Sequence, residues 1–257
     1  MSSATHEFEQ PLNERMRSFM RLEHLYKRFD HQVNQGDEWA HRGAIEALIE
    51  ILALLGRADI KTEFIKELER HAQTLEALRR DPRVDSDTLS QVLDRVRAKL
   101  AELRTTNNPF GYRLKSHDLI NSVKQRASIP AGMCDFDVPT LHHWLQRPSA
   151  ARGDDLNEWC GHLGAVRDAV DLCMALVRES ASATNEVATR GFFQKQLEGN
   201  VPCQLVRVRV ASDEAVFTEI SAGKHRFSVR FMQHDPRSER PSQCERDISF
   251  ELSCCVI

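Results

Sequence analysis

The sequence lacks a large excess of charge of either sign. Its formal net charge is −3 and its pI is about 6.4. Proteins that attract nucleic acid or an anionic membrane through a global electrostatic field carry a strong basic excess. We therefore expect neither partner, and ionic recognition has to depend on a local cluster of charged side chains.

Long apolar runs are also absent. No stretch approaches the roughly 20 consecutive apolar residues of a membrane-spanning helix. Residues 1–10 contain acids and lack the apolar segment of a secretory signal. These absences predict a cytoplasmic protein with no membrane partner.

Paired cysteine motifs are missing as well. The chain has seven cysteines, an odd number, and none of them form a CxxC motif. Both features argue against a disulfide framework and against a zinc ribbon. We therefore expect reduced thiols, no bound metal and no cofactor.

The most regular pattern in the sequence lies in residues 203–232, where side-chain character alternates with a period of two. This alternation is typical of a half-buried antiparallel sheet. The apolar set is Val206, Val208, Val210, Phe227, Val229 and Phe231, and the opposite set includes Arg207, Arg209, Arg226, Ser228 and Arg230. The pattern predicts a sheet with an arginine-bearing face, whose apolar side is covered by helices.

Most of the chain before this region has helical periodicity. Apolar residues at three- and four-residue steps predict long helical hairpins, and one continuous helix over about 154–179. The predicted fold class is α+β, with a mainly α-helical domain over 11–180 and a smaller antiparallel β-sheet domain over 201–255. An N-terminal strand over 5–9 is expected to join that sheet, a last strand covers 247–253, and 181–200 is predicted to be a linker or loop.

A cluster of polar residues near the middle of the chain suggests an alternative function. Cysteine, histidine and carboxylate side chains together can form a nucleophilic site or ligate zinc. The cluster consists of Cys134, Asp135, Asp137, His142 and His143. However, its flanking residues match no nucleophile motif, and Asp137 is better explained as the N-cap of a short helix.

A second alternative is a module that binds single-stranded nucleic acid. It would combine the arginine face with Phe192, Phe193 or Trp144 as stacking platforms. The acidic net charge and the absence of a basic cluster count against it.

The arginines of the predicted sheet allow two interpretations. Arg226 and Arg230 are four residues apart on one strand, so they share a face with about 13–14 Å between them. Guanidinium groups at this spacing suit a short peptide that carries carboxylates, and Arg207 and Arg209 could extend the patch. Alternatively, Asp247 and Glu251 of the last strand could pair with Arg226 and Arg230 as ordinary cross-strand contacts.

Several segments together resemble the bacterial cell-division protein ZapD family. They are FEQPLNERMR (8–17), KTEFIKEL (61–68), QRASIPAG (125–132), CDFDVPTLH (134–142), Ser221, KHRFSVRFM (224–232) and FELSCC (250–255). These segments follow the family's order over nearly the whole chain. The sequence departs from the family pattern at Asp118, where enterobacterial members are expected to have arginine, and at its two last residues.

The resemblance implies a helical domain plus a β-strand domain, a homodimer and no enzymatic activity. It also implies binding to the C-terminal tail of the tubulin-like division protein FtsZ, with bundling of FtsZ filaments at mid-cell in the cytoplasm. For the site that binds the FtsZ tail, it favours Lys224, Arg226, Arg230 and Arg246.

Overall fold

A computed structural model describes residues 4–57, 59–197, 202–223, 225–234 and 240–256. It has the α+β class that the sequence predicts. The chain divides into two compact units, one formed by Ser18–Cys173 and the other by Met1–Arg17 together with Met174–Ile257. The first unit is helical, and the second contains the strands.

Eight α-helices lie within the described residues. They are α1 (Glu14–Gln35), α2 (Glu38–Arg57), α3 (Ile60–Leu78), α4 (Ser86–Thr105), α5 (Asp118–Arg126), α6 (Pro139–Leu145), α7 (Ser149–Gly161) and α8 (Gly164–Glu179). The described strands are β1 (Thr5–Pro11), β2 (Thr184–Ala188), β3 (Phe192–Gln196), β4 (Cys203–Ala211), β5 (Phe217–Ala222), β6 (Arg226–Gln233), β7 (Ser242–Gln243) and β8 (Ile248–Val256).

The helical unit is held together by an apolar core. Phe19 of α1 and Phe64 of α3 stack with their ring centroids 4.4 Å apart, and both are fully buried. Helices α3 and α4 form a hairpin, to which Arg97 and Glu76 add an ion pair of 2.9 Å at the surface. Burial of large apolar side chains is the main stabilising contribution in such a unit.

The strands form two antiparallel sheets. Sheet A has the order β1-β4-β8-β2, and sheet B has the order β3-β6-β5, with β7 paired to β6. Their apolar sides share one core, in which Phe250 of sheet A contacts Phe193 and Phe231 of sheet B at centroid distances of 5.2 and 5.0 Å. The expectation that helices cover the apolar side of the sheet was therefore wrong, because the apolar sides of the two sheets pack against each other.

The segment 181–200, which the sequence predicts to be a linker, contains β2 and β3. A tight turn connects these strands and carries the chain from sheet A to sheet B. Arg190 and Gly191 in this turn both have positive φ, at 49° and 70°, a combination typical of a two-residue hairpin. A Cβ at Gly191 would lie 2.4 Å from the carbonyl oxygen of Cys244, so glycine is required there.

Two helical predictions also differ from the structure. The continuous helix expected over 154–179 is divided into α7 and α8 between Gly161 and Gly164, where Leu163 N–H donates to Cys160 O at 2.8 Å. Asp137 does not cap α6, since Val138 occupies the N-cap position and no side-chain cap hydrogen bond is present there. Proline at the start of α6 and glycine at the break in the longer helix account for both boundaries.

Candidate functional site

Arg226 and Arg230 lie on the open face of sheet B. Both belong to β6, and both are exposed, whereas Phe227, Val229 and Phe231 between and beyond them are buried. The period of two therefore orients the strand as the sequence predicts, with the arginines on the solvent side. Because β6 lies between β3 and β5, the two guanidinium groups stand in the middle of the sheet rather than at its edge.

Apolar and polar residues of the neighbouring strands surround this face. In the strand register Arg230 is opposite Phe192 of β3, and Arg226 is opposite Gln196. Phe192 is 39% exposed, which is unusual for a phenylalanine in a sheet. We call Phe192, Gln196, Arg226 and Arg230 the arginine face. It combines two positive charges with an accessible aromatic ring.

Neither guanidinium of the arginine face is neutralised within the described part of the chain. Arg226 and Arg230 form no ion pair or side-chain hydrogen bond there. Glu219 of β5 is opposite Arg230 in the register, but no oxygen of its carboxylate lies within ion-pair distance of the guanidinium. Both arginines are therefore available to an external carboxylate.

The arginines of sheet A are in a different situation, and they do not extend the arginine face. Arg207 and Arg209 lie on β4 and contact Glu7 of β1, each at 2.9 Å. Arg209 also pairs with Glu251 of β8 at 2.9 Å. Arg207 further approaches Glu9 of β1 at 3.0 Å. The sequence-based suggestion that these arginines enlarge the patch was wrong, because they lie on the other sheet and are already paired.

The pKa shifts of Glu7 and Arg209 are consistent with the ion pairs between β1, β4 and β8. Partial burial tends to raise the pKa of Glu7, but hydrogen bonds from Arg207 and Arg209 outweigh burial and lower it below its ordinary value. The hydrogen bonds to Glu7 and Glu251 in turn raise the pKa of the Arg209 guanidinium. Sheet A therefore carries a satisfied cross-strand network that stabilises the fold.

The alternative pairing predicted for Arg226 and Arg230 does not occur. Glu251 is engaged by Arg209, and Asp247 accepts a hydrogen bond of 2.8 Å from the backbone N–H of Arg190. Both carboxylates that the sequence offered as cross-strand partners are thus used elsewhere.

The other two predicted site residues are Arg246, which already has partners, and Lys224, whose position is not described. Arg246 forms an ion pair with Glu214 and also donates to the Glu214 carbonyl oxygen at 2.9 Å, so it is already partly satisfied. Lys224 lies outside the described residues. Of the four predicted residues, the structure brings together Arg226 and Arg230.

A shallow hollow beside Phe192 is a feature that the sequence did not indicate. It has a volume of about 350 Å³ and is lined by Thr189, Arg190, Phe192, Gln243, Cys244 and Glu245. Arg190 reaches it because the β2–β3 turn, which was predicted to be a linker, lies next to β7. Only the positive φ expected at Gly191 in a turn could have given a signal for this arrangement.

The cluster around Cys134 is partly assembled, but not as a nucleophilic site. His142 Nδ1 lies 3.1 Å from Asp135 Oδ2, and Arg42 approaches Asp135 at 3.6 Å. Within the described residues the Cys134 thiol has no hydrogen bond to His142 or His143. In the same part of the chain, no group of three or more histidine, cysteine, aspartate or glutamate side chains is arranged to hold a metal ion.

The stacking platform proposed for single-stranded nucleic acid is also incomplete. Trp144 is 5% exposed, and its indole N–H donates to Asp155 at 2.7 Å. Phe193 packs in the core between the sheets, which leaves Phe192 as the accessible ring of the three. A single ring does not provide successive stacking positions for a strand of bases.

None of the helices within the described ranges has both the length and the apolar character needed to cross a lipid bilayer.

Comparison with known proteins gives one consistent family. A sequence profile described as "ZapD: Cell division protein" matches residues 20–230. A cell division protein ZapD of Methylococcus capsulatus is 40% identical over 97% of this chain and 98% of its own length. Proteins with the same name from Chromobacterium violaceum and Coxiella burnetii are 36% and 34% identical, over 96% and 100% of this chain and 98% and 100% of their own lengths.

The fold and the site define an α+β protein with an open arginine-bearing sheet, and its relatives are cell division proteins. The chain belongs to the ZapD family. A role in cell division follows from this membership.

Proposed function

We propose that this protein binds the acidic C-terminal tail of FtsZ on the arginine face and bundles FtsZ filaments as a homodimer at mid-cell. The resemblance of the sequence to the ZapD family suggests this partner. The observation that carries the proposal is the contrast between the sheets: the arginines of sheet A are paired with glutamates, whereas Arg226 and Arg230 are open.

The chemistry of the arginine face fits a short peptide with both acidic and apolar residues. A guanidinium group binds a carboxylate through two parallel hydrogen bonds, which gives directional recognition as well as attraction. Two such groups about 13 Å apart can engage carboxylates four residues apart on an extended peptide. The ring of Phe192 offers an apolar contact between peptide and sheet.

Bundling requires two tail sites on one particle. A two-fold dimer would present two copies of the arginine face, so that one dimer could hold tails from two filaments. Each contact can be weak, because tails along a filament are present at a high effective concentration. A monomer would bind a tail but could not cross-link filaments.

The test of the proposed partner is co-sedimentation and light scattering of FtsZ filaments with this protein. Intact FtsZ should be bundled, and FtsZ without its C-terminal tail should not. Raising the salt concentration should weaken binding, because exposed ionic contacts are screened within about 8–10 Å at 0.1–0.15 M salt. Bundling of tail-less FtsZ to the same extent as intact FtsZ would overturn the proposal.

The two-site account has a separate test. The double variant Arg226→Glu with Arg230→Glu is mixed with the wild-type protein under conditions that allow subunits to exchange. Dimers with one intact arginine face should bind a fluorescent tail peptide but should no longer bundle filaments, so light scattering should not increase. If such mixed dimers bundle filaments as well as the wild type, cross-linking does not depend on two tail sites.

A further inference from the structure

Two cysteines lie side by side at one end of sheet A. Cys203 begins β4, and Cys254 is in the adjacent antiparallel strand β8. Val206 is opposite Cys254, and a shift in register before Leu205 brings Cys203 opposite Val256. Since residues two apart on a strand share a face, Cys203 is a diagonal neighbour of Cys254. Both side chains pack against the core between the two sheets.

The two thiols are in direct contact and can be reached by small reagents. Cys203 and Cys254 form a side-chain hydrogen bond with each other. Cys203 Sγ also lies 3.5 Å from the carbonyl oxygen of Leu205. Both cysteines are partly exposed, in contrast to the buried Cys244 and Cys255 nearby.

The surroundings of Cys254 favour its thiolate. The hydrogen bond with Cys203 and, to a smaller extent, the positive charge of Lys195 on β3 lower the pKa of Cys254 to about 7, against the opposing effect of burial. Glu186 acts in the opposite direction, but it is held by Lys195 at 3.4 Å. The same thiol–thiol contact raises the pKa of Cys203, so one proton is retained on Cys203 and the negative charge rests on Cys254. A partly exposed thiolate next to a cation is the environment of reactive cysteines.

We propose that Cys203 and Cys254 are a redox-active dithiol, which hydrogen peroxide oxidises to an intramolecular disulfide that links β4 to β8. In the first step the Cys254 sulfur attacks one peroxide oxygen and the O–O bond breaks. This step leaves a sulfenic acid on Cys254, and the departing hydroxide takes a proton from the solvent to become the first water. In the second step the Cys203 sulfur attacks the Cys254 sulfur, an S–S bond forms and the S–O bond breaks, and the departing hydroxide takes the proton of the Cys203 thiol and leaves as a second water. Two thiols lose two electrons in total, and one peroxide is reduced to two waters.

The strand geometry allows this bond after a small adjustment. Diagonal positions on paired strands have Cα atoms about 7–8 Å apart, whereas most disulfides span about 4.4–6.8 Å. Closing the bond therefore requires a shift of about 1 Å or more. Cys203 is the first residue of β4 and lies next to the register shift, where the ladder is least regular.

The experiment uses the full-length protein, treated with hydrogen peroxide at equimolar and tenfold excess. Remaining thiols are alkylated under denaturing conditions, and the intact mass is measured. The wild type should lose two of its seven alkylatable thiols, and non-reducing peptide mapping should identify a Cys203–Cys254 cross-link. Unchanged alkylation of all seven, or cross-links that join other cysteines or two chains, would overturn the proposal.

Three variants define the roles of the two sulfurs. Cys203→Ser should stop at a sulfenic acid on Cys254 that dimedone traps, and Cys254→Ser should form neither product. Cys134→Ser is the matched control, because Cys134 is also partly exposed but lies in the helical unit. It should form the cross-link at the wild-type rate. A cross-link in which Cys134 takes part contradicts the assignment.

The pH dependence of peroxide consumption by the wild-type protein gives a test that does not require any variant to fold. The initial rate of peroxide consumption by the wild type should level off above about pH 8. The rate of an ordinary thiol with a pKa near 8.5 would instead rise about eightfold between pH 7.5 and pH 9. A continuing rise of that size would overturn the assignment of Cys254 as the attacking thiolate.

Discussion

Arg209 donates a hydrogen bond of 2.9 Å to Glu251 across the β4–β8 ladder of sheet A. This contact is one reason why the arginines of sheet A are paired with carboxylates, whereas, in the described part of the chain, Arg226 and Arg230 of sheet B are not. Glu251 was one of two carboxylates that could have neutralised Arg226 and Arg230, and its pairing with Arg209 leaves those two guanidinium groups open on sheet B. The open pair is the basis of the proposed tail-binding site.

Charge reversal on the arginine face should weaken tail binding at least tenfold without unfolding the protein. Arg226→Glu or Arg230→Glu replaces an attraction to carboxylates with a repulsion, so we expect at least a tenfold loss of affinity, which is about 1.4 kcal/mol or more. Fluorescence anisotropy with an FtsZ tail peptide measures it. Both residues are exposed, so circular dichroism and thermal stability should change little.

The matched control for these variants is Arg209→Gln, which removes a partly exposed arginine of sheet A. Arg209 is paired with Glu7 and Glu251, so it is not expected to contact the tail. Its affinity for the peptide should stay within about twofold of the wild type. Equal losses in Arg209→Gln and Arg230→Glu would indicate a response to overall charge rather than a site.

Removing the acidic neighbour of Arg230 should strengthen tail binding. Glu219 faces the same side of sheet B as Arg230 and is exposed, so it repels an incoming carboxylate. We expect Glu219→Gln to raise the affinity for the tail peptide by about two- to fivefold at low salt, which is about 0.4–1 kcal/mol and lies within the range typical of exposed charge interactions. The gain should shrink as salt increases. A loss of affinity would mean that Glu219 holds the arginine face in its binding geometry.

The contact between the sheets should dominate the stability of the strand-containing unit. Phe250 is 4% exposed and touches Phe193 and Phe231, so Phe250→Ala should destabilise this unit by about 3–5 kcal/mol. Hydrogen exchange of β6 and β8 amides should speed up accordingly. Val187→Thr is a suitable control, since Val187 is 53% exposed on β2 and its replacement should cost less than about 0.5 kcal/mol. If Phe250→Ala and Val187→Thr reduced the stability by similar amounts, the two sheets would not share a core around Phe250.

A buried ionic cluster on α3 should make the stability of the helical unit depend on pH. Burial tends to raise the pKa of Glu67, but the close approach of His71 Nε2, 3.3 Å from the carboxylate, and the hydrogen bond from Arg70 outweigh burial and lower the pKa to about 2. The lowered pKa means that ionised Glu67 stabilises the fold fully above about pH 4.5, and that this contribution is lost as pH falls toward 2.

The variant Glu67→Gln tests this linkage by denaturant unfolding at several pH values. It should be less stable than the wild type by about 3 kcal/mol at pH 7, because Arg70 and His71 lose a buried partner. The difference should shrink between pH 4.5 and pH 2. Glu69→Gln, which affects an exposed pair with Arg104, should differ from the wild type by less than about 1 kcal/mol at every pH. A difference for Glu67→Gln that stays constant down to pH 2 would refute the linkage.

Local patterns predicted most helices and four of the strands, β1, β4, β6 and β8. The apolar periodicity of α3 and α4 and the alternation in β4, β6 and β8 depend only on neighbours in the chain, so they are visible in the sequence. Strands β2, β3, β5 and β7 were missed. Each is short and contains polar residues, and β2 and β3 become strands only by pairing with the distant strands β8 and β6.

The candidate site was predictable in part for the same reason. The common face of Arg226 and Arg230 follows from the period of two within one strand. The pairing of Arg246 with Glu214, the inclusion of Phe192 in the arginine face and the position of Arg190 beside that face depend on which strands meet.

The sequence by itself determined the fold class and which side chains of β4, β6 and β8 point outward, because both follow from periodicity along the chain. Only the tertiary structure decided that the strands form two sheets, and that the arginines of one sheet are paired while those of the other are open. Ion pairs across strands depend on register between segments as distant as Glu7 and Arg209. No pattern within a single segment specifies that register.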